Sequence, residues 1–116
     1  MTPVIVALYD DYGVADRVRT QLVADGFATD RVEVTSRLEA GQADAEPGAR
    51  FAERVANYFH TIFDQNDEQA QAEDFTDRVV KGDTAVTVHP RADYEISSAR
   101  RILNQSRPVK MEELLS

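Results

Sequence analysis

The hydrophobic positions of the chain change their spacing several times, and each change predicts a new structural element. Residues 3–9 are an almost unbroken run of apolar residues rich in valine and isoleucine, which is typical of a buried strand. Three apolar residues then recur every four positions: Val14, Val18 and Leu22. This spacing predicts an amphipathic helix. Asp11 or Asp10 is predicted to cap its N-terminus, and Gly26 lies where a left-handed residue would end it. Residues 31–36 alternate apolar with polar positions and are predicted as a half-exposed second strand.

The middle of the chain has a different character. Residues 38–49 are mostly small or polar and include two glycines and a proline without a usable period, so we expect a mobile loop there. Apolar and aromatic residues at helical spacing follow: Phe51, Val55, Tyr58, Phe59, Ile62 and Phe63. They predict a helix with an aromatic stripe. A further helix is predicted from Asn66 or Asp67 to Gly82.

The last third of the chain repeats the plan of the first. Residues 84–89 alternate and stop at Pro90, so they are predicted as a third strand. A helix is predicted to begin at Ala92 or Asp93, and a short final strand is predicted over residues 107–111. Each of these two thirds therefore contains a strand, a helix and a further strand.

Two strand-helix-strand units in tandem predict an α+β fold, a ferredoxin-like split βαβ sandwich with both principal helices on one face of the sheet. We assign the first half to about residues 3–37 and the second to about 83–112. The mobile loop at 38–49 and a two-helix insertion at about 50–81 separate the halves. The length fits a single domain, residues 1–116.

The first strand is apolar on both of its faces. One face carries three aliphatic residues: Val4, Val6 and Leu8. The other face carries Ile5, Ala7 and Tyr9. With both principal helices on one side of the sheet, this second set would be exposed to water, so we expect the aromatic helix or a second copy of the chain to cover it. The aromatic stripe has two interpretations, part of the chain's own core or an interface or apolar pocket.

Charge and composition narrow the classes of partner. The chain has 13 basic and 21 acidic residues, a net charge of −8, and its basic residues are scattered. Nucleic acids and anionic membrane surfaces are therefore disfavoured as partners, because they bind to positively charged stripes on proteins. A basic protein is still possible as a partner. The absence of cysteine excludes disulfides and thiolate chemistry. The N-terminal run predicts neither a signal peptide nor a membrane span, and we expect a cytoplasmic protein.

Few residues suggest catalysis or cofactor binding. The two histidines, His60 and His89, are not spaced as metal ligands, and the five glycines form no phosphate-binding loop. We therefore expect no enzyme activity, no metal and no cofactor. The candidate interface or pocket comprises seven residues: Ile5, Ala7, Tyr9, Tyr58, Phe59, Phe63 and His89.

Several stretches resemble one protein family. Residues 4–12 form a valine-rich strand that ends in Tyr-Asp-Asp-Tyr, and the following helix ends in Gly26-Phe27. Residues 77–88 carry a basic-glycine turn that leads into a valine strand. These features are similar to bacterial heat-induced or general stress protein domains of the YflT type. The resemblance implies a small α/β stress-associated domain whose molecular activity is not established, and it supplies no catalytic residues.

Two functional hypotheses follow. The leading one is a non-enzymatic, cytoplasmic, stress-associated domain that self-associates as a homodimer. The alternative is a small-molecule-binding protein or enzyme that uses a cleft between the sheet and the inserted helices, with Tyr9 and His89 as its polar groups. The alternative requires a closed pocket that contains a convergent polar group, whereas a space filled by aromatic side chains would exclude it.

Overall fold

The structure, a computed structural model, describes residues 3–36, 48–64 and 69–114. Over these ranges the chain has a four-stranded antiparallel sheet and four α-helices, which confirms the predicted α+β class. None of the described helices is long and apolar enough to cross a membrane. The elements in chain order are β1 (Val4–Tyr9), α1 (Tyr12–Ala24), β2 (Val32–Thr35), α2 (Gly48–Asp64), α3 (Gln69–Val80), β3 (Thr84–Val88), α4 (Asp93–Gln105) and β4 (Lys110–Leu114).

The two ends of α1 follow from local chemistry. Asp11 caps the N-terminus, because its Oδ1 accepts a hydrogen bond from the Gly13 backbone N–H at 2.9 Å. Gly26 takes a left-handed conformation with a φ of 112°, and the Phe27 N–H then donates to the Leu22 carbonyl at 3.1 Å. The sequence predicts both ends correctly, since a capping carboxylate and a left-handed glycine act within a few residues.

The helical insertion is present, with bounds that differ from the prediction. α2 begins at Gly48, inside the loop predicted over 38–49, and the rest of that loop lies outside the described residues. The predicted start of α3 at Asn66 or Asp67 also lies outside them. Gly82 follows α3 with a φ of 128°, which agrees with the predicted end of that helix.

The last strand is displaced from its prediction. β4 occupies Lys110–Leu114, three residues later than the predicted 107–111. Arg107 lies instead in the turn before the strand, with a left-handed φ of 54°. β4 pairs with β1 along its whole length. Because this pairing decides where the strand lies, the polar pattern of the segment alone does not reveal its bounds.

The sheet has the strand order β2-β3-β1-β4, and all neighbouring strands are antiparallel. β1 and β3 are therefore the central strands, whereas β2 and β4 form the edges. Every residue of β3 is buried. A central strand with no exposed residue indicates that both faces of the sheet are covered.

Helices cover the two faces of the sheet. Ile5, Ala7 and Tyr9 of β1 join a core with α1 and α4. Val6 and Leu8 point the other way and join a second core with α2 and α3. The expectation that the aromatic helix or a second copy covers the first set is therefore wrong. The two helices that connect the strands of each half already occupy that face, so the insertion covers the opposite one.

The aromatic stripe of α2 supplies the centre of the second core. Phe59 and Phe63 have no exposed surface and pack against each other and against Phe75 of α3, with the three ring centroids 5.1–6.2 Å apart. Tilted rings at these separations add favourable electrostatic contact to the burial of apolar area. These two phenylalanines belong to the chain's own core, in agreement with the first interpretation of the stripe.

Candidate ligand-binding cleft

Five of the seven residues selected from the sequence lie in the interior. Ile5, Ala7, Phe59 and Phe63 have 0% exposed surface. Tyr9 is 2% exposed, and its hydroxyl donates to a backbone carbonyl of α4 at 2.7 Å. These side chains lie within the two cores. The two that remain, Tyr58 and His89, are both partly exposed.

Tyr58 and His89 meet at Glu33. The Tyr58 hydroxyl donates to Glu33 Oε1 at 2.7 Å, and His89 Nε2 lies 2.9 Å from the same oxygen. Since an ionised carboxylate only accepts hydrogen bonds, His89 Nε2 carries the hydrogen in this contact. The three side chains come from α2, β2 and the residue after β3, so only the tertiary fold brings them together.

The register of the sheet explains why these polar side chains share one face. Glu33 lies opposite Thr87, and Thr35 lies opposite Ala85. The intervening residues, Val32 and Val34, pack in the core under α1 and α4. Because side chains alternate along a strand, Glu33 and Thr35 point to the face that α2 covers. This part of the sheet face is polar, whereas the part formed by β1 is apolar.

A cavity of about 420 Å³ lies between the edge strand β2 and α2. Its walls include Glu33 and Ser36 on the sheet side, and Arg54 and Tyr58 on the helix side. The guanidinium carbon of Arg54 lies 5.4 Å from the ring centroid of Phe51, a cation–π contact that helps to orient the arginine. The volume is in the range of small-molecule sites.

Val34 also lines the cavity, although its side chain packs on the opposite face of the sheet. It therefore contributes its backbone. The His89 N–H donates to the Arg31 carbonyl at 2.9 Å, so in this antiparallel pair residues 31, 33 and 35 bond to β3. The N–H and C=O of Val34 then point away from β3, at the outer edge of the described sheet. A ligand in the cavity meets one backbone donor and one backbone acceptor there.

Tyr58 is held in its protonated form. Burial raises the pKa of its phenol well above the ordinary value, because desolvation disfavours the phenolate. The hydrogen bond to the Glu33 carboxylate and its negative charge act in the same direction, while the hydroxyls of Thr87 and Thr35 lower the pKa. Thr87 Oγ1 is buried and forms no hydrogen bond of ordinary geometry with the described residues. The Tyr58 phenol is thus a donor to Glu33.

The cleft offers hydrogen bonding to a ligand. The two contacts to the Glu33 carboxylate both involve Oε1, which leaves Oε2 to accept from a ligand. Together with the Val34 backbone, this supplies two acceptors and one donor around the cavity. Across residues 3–36, 48–64 and 69–114, no three His, Asp or Glu side chains are grouped as metal ligands.

The site residues predicted from the sequence do not include Glu33, Thr35 and Arg54. The first two belong to the polar side of a predicted half-exposed strand, and Arg54 lies on the polar side of a predicted amphipathic helix. One signal was present, because the alternation over 31–36 places Glu33 and Thr35 on one face. Only the tertiary structure shows that this face lies under α2.

Comparison with known proteins adds nothing to this geometry, since no family model, curated protein or solved structure matches the chain.

Proposed function

We propose that the chain is a non-catalytic domain that binds a small polar molecule in the cleft between β2 and α2. The observation that carries this proposal is the convergence of Tyr58 and His89 on one oxygen of Glu33, beside a cavity of about 420 Å³. Small-molecule sites are typically cavities of this size with a few polar groups that fix the ligand's orientation. The two hydrogen bonds hold the Glu33 carboxylate in place before a ligand arrives, which reduces the entropy cost of binding.

The chemistry of the cleft favours a ligand that both donates and accepts hydrogen bonds. Glu33 Oε2 and the Val34 carbonyl accept, whereas the Val34 N–H donates. Arg54 adds positive charge on the helix side, and Val55 adds apolar surface. An amide or an amino acid derivative matches this pattern, because it carries an N–H donor close to a carbonyl or carboxylate oxygen. We therefore infer a small ligand of this class.

A thermal-shift screen with free amino acids, N-acylated amino acids and small amides tests the proposal. Ligands that bind in the cleft should raise the melting temperature of the wild type. Glu33→Gln should abolish the shift. Its amide oxygen would keep the bonds to Tyr58 and His89, so an NH2 donor would take the place of the Oε2 acceptor that faces the ligand. Tyr94→Phe is the matched control, since Tyr94 is 73% exposed and lies outside the cleft. No shift in the wild type, or equal shifts in Glu33→Gln, would contradict the proposal.

The cleft differs from the one that the sequence suggested. Phe59, Phe63 and Phe75 occupy the deep space between the sheet and the described part of the insertion, which favours a ligand site elsewhere. Tyr9 belongs to the other core and contributes nothing to the cleft. The opening lies only at the margin, where β2 forms the edge of the sheet. Of the two polar groups in that hypothesis, His89 reaches this cleft through its contact with Glu33 Oε1 at 2.9 Å.

A homodimer has weaker support than ligand binding. Phe59 and Phe63, which suggested an interface, are fully buried within the chain. Light scattering after size exclusion at several concentrations distinguishes a monomer from a homodimer. A mass of about twice 13.0 kDa would support self-association, and a mass of 13.0 kDa at every concentration would contradict it.

For the finer fold we propose the ferredoxin-like split βαβ arrangement. The strand order β2-β3-β1-β4 supports it, because each half of the chain supplies one central and one edge strand. The packing of α1 and α4 on the same face also supports it.

The relation to bacterial general stress domains remains a hypothesis that rests on strand and turn patterns. Immunodetection of the protein in its native cells before and after heat shock tests it. A clear increase in abundance supports the hypothesis, and an unchanged level contradicts it.

A further inference from the structure

A second polar groove lies between α1 and α4, on the side of the molecule opposite the insertion. It consists of two adjoining cavities of about 340 and 290 Å³, which share Gln21 and Gln105 as lining residues. Val14 and Ile102, which pack against the core, lie at the base of the two cavities. The groove is independent of the cleft at β2.

The helical spacing of α1 places one stripe of residues along this groove. Val14, Arg17, Gln21 and Ala24 follow each other at intervals of three or four and therefore lie on one side of the helix. On the other wall, α4 contributes Arg101 and Gln105. The turn after α4 adds Arg107 to the larger cavity.

Two arginines of the groove lack a carboxylate partner. Arg17 and Arg107 both line the 340 Å³ cavity, and the guanidinium group of neither one forms a hydrogen bond or ion pair with the described residues. Other arginines of the chain pair with nearby acids: Arg19 with Asp16, Arg31 with Glu95, Arg78 with Asp74, and Arg100 with Glu113. Two such guanidinium groups at one cavity form a site of positive charge that no acidic side chain of the described residues pairs with.

The charge of the groove contrasts with that of the rest of the chain. Its three arginines and the carboxylate of Asp25 give the groove +2, which leaves −10 on the remainder of a chain of net charge −8. Asp25 lies 3.9 Å from Arg101, at the end away from Arg17. The positive potential of the groove attracts small anions, whereas the acidic remainder of the protein repels them.

The backbone at Arg107 is a second, independent observation. This residue has a φ of 54°, in the left-handed region that glycine adopts at the lowest cost. A residue other than glycine in that conformation costs free energy, and such residues cluster at functional sites. In this turn the guanidinium group is placed at the cavity that Arg17 also lines.

We propose that the groove between α1 and α4 binds a small oxyanion, a phosphate or carboxylate group, between the guanidinium groups of Arg17 and Arg107. The planar guanidinium fork matches two oxygens of either group, and the Gln21 and Gln105 amides supply further donors. The cavity of about 340 Å³ has room for a small dianion.

Titration with inorganic phosphate, and separately with succinate, tests the proposal at constant ionic strength maintained with sodium chloride. Amide shifts in a two-dimensional NMR spectrum should cluster at Arg17, Gln21 and Gln105. Arg17→Gln and Arg107→Asn should each weaken binding by roughly tenfold or more, because each removes charge-assisted hydrogen bonds. Arg50→Gln is the matched control, an exposed arginine of α2 outside the groove, and it should bind as the wild type does.

The two anions separate the possible sources of the ligand. Binding of phosphate alone supports a phosphate-bearing ligand, and binding of succinate alone supports a carboxylate. No binding of either anion, or equal affinity in Arg17→Gln and the wild type, overturns the proposal. Equal weakening in Arg50→Gln also overturns it, because the effect would then come from net charge.

Arg107→Gly separates binding from folding. Glycine relieves the left-handed backbone, so this variant should melt at a higher temperature than Arg107→Asn while it binds the anion as weakly. Affinity equal to that of the wild type in Arg107→Gly would overturn the role of this side chain.

Discussion

The phenols of Tyr9, which is buried, and Tyr58, which is half-buried, both donate a hydrogen bond, and their acceptors differ. The Tyr9 hydroxyl bonds to the Leu103 carbonyl at 2.7 Å inside the core under α1 and α4. The Tyr58 hydroxyl bonds to a carboxylate at the margin of the other core. Burial raises the pKa of both phenols above the ordinary value. At the scale of the residue, position in the fold decides whether a tyrosine is structural or belongs to a site.

The raised pKa values predict a loss of stability at alkaline pH. Because both folded-state values lie above those of the unfolded chain, the protonated phenols stabilise the folded state. This contribution is complete below about pH 10, the ordinary phenol pKa, and is lost as the pH rises above it. The free energy of unfolding, measured by urea denaturation from about pH 8 to about pH 11, should fall less steeply in a Tyr9→Phe, Tyr58→Phe double variant.

The control for this prediction is Tyr94→Phe, since Tyr94 is exposed. It should follow the wild-type decline. If the double variant loses as much free energy of unfolding over the same pH interval as the wild type, the buried phenols are not the cause.

At the scale of the element, the aromatic helix α2 shows what periodicity can predict. The spacing of Phe51, Val55, Phe59 and Phe63 predicts the helix and its apolar side, and all four residues are buried. The same spacing does not predict which elements the apolar side of α2 packs against. That depended on α3 and on the face of the sheet that α1 and α4 leave free.

Removal of one ring from this stripe should cost a large part of the stability. Phe59 has no exposed surface and contacts Phe63 and Phe75. Phe59→Ala should lower the free energy of unfolding by about 3–5 kcal/mol, because it leaves a cavity as well as removing apolar contact. Domains of this size are stable by only about 5–15 kcal/mol.

Chemical denaturation measures this loss, and Tyr94→Ala is the matched control. An exposed aromatic side chain should change the free energy of unfolding by no more than about 0.5 kcal/mol. A loss below about 1 kcal/mol in Phe59→Ala would show that the ring is not part of a packed core.

At the scale of the whole molecule, β1 joins the two cores. Its alternate residues belong to different clusters, Ile5 and Ala7 to one and Val6 and Leu8 to the other. If either helical layer is lost, one side of this central strand is exposed to water. We therefore expect the two layers to unfold together.

This coupling predicts a single unfolding transition. Far-ultraviolet circular dichroism, which follows helices, and tyrosine fluorescence should give the same midpoint in urea. Val79→Ala in the insertion and Ile102→Ala in α4 should each shift that one transition, because both side chains are buried. Two separate transitions in Val79→Ala would indicate that the insertion unfolds independently of the sheet.

The predictions from sequence succeed and fail for identifiable reasons. The ends of α1 were predictable because Asp11 and Gly26 act on backbone groups a few residues away. The bounds of β4 were wrong because they depend on pairing with β1, which is about a hundred residues earlier in the chain. Glu33 was missed for the same reason, since its partners Tyr58 and His89 are distant in sequence.

The sequence by itself determined the helices, the central strands and the presence of apolar side chains on both faces of β1, because periodicity and capping are local properties. Only the tertiary structure decided which layer covers which face, and it corrected the assignment for Ile5, Ala7 and Tyr9. It also decided that Glu33 meets Tyr58 and His89, and that Arg17 and Arg107 line one cavity. Such arrangements depend on strand register and helix packing, which bring together residues that no local pattern relates.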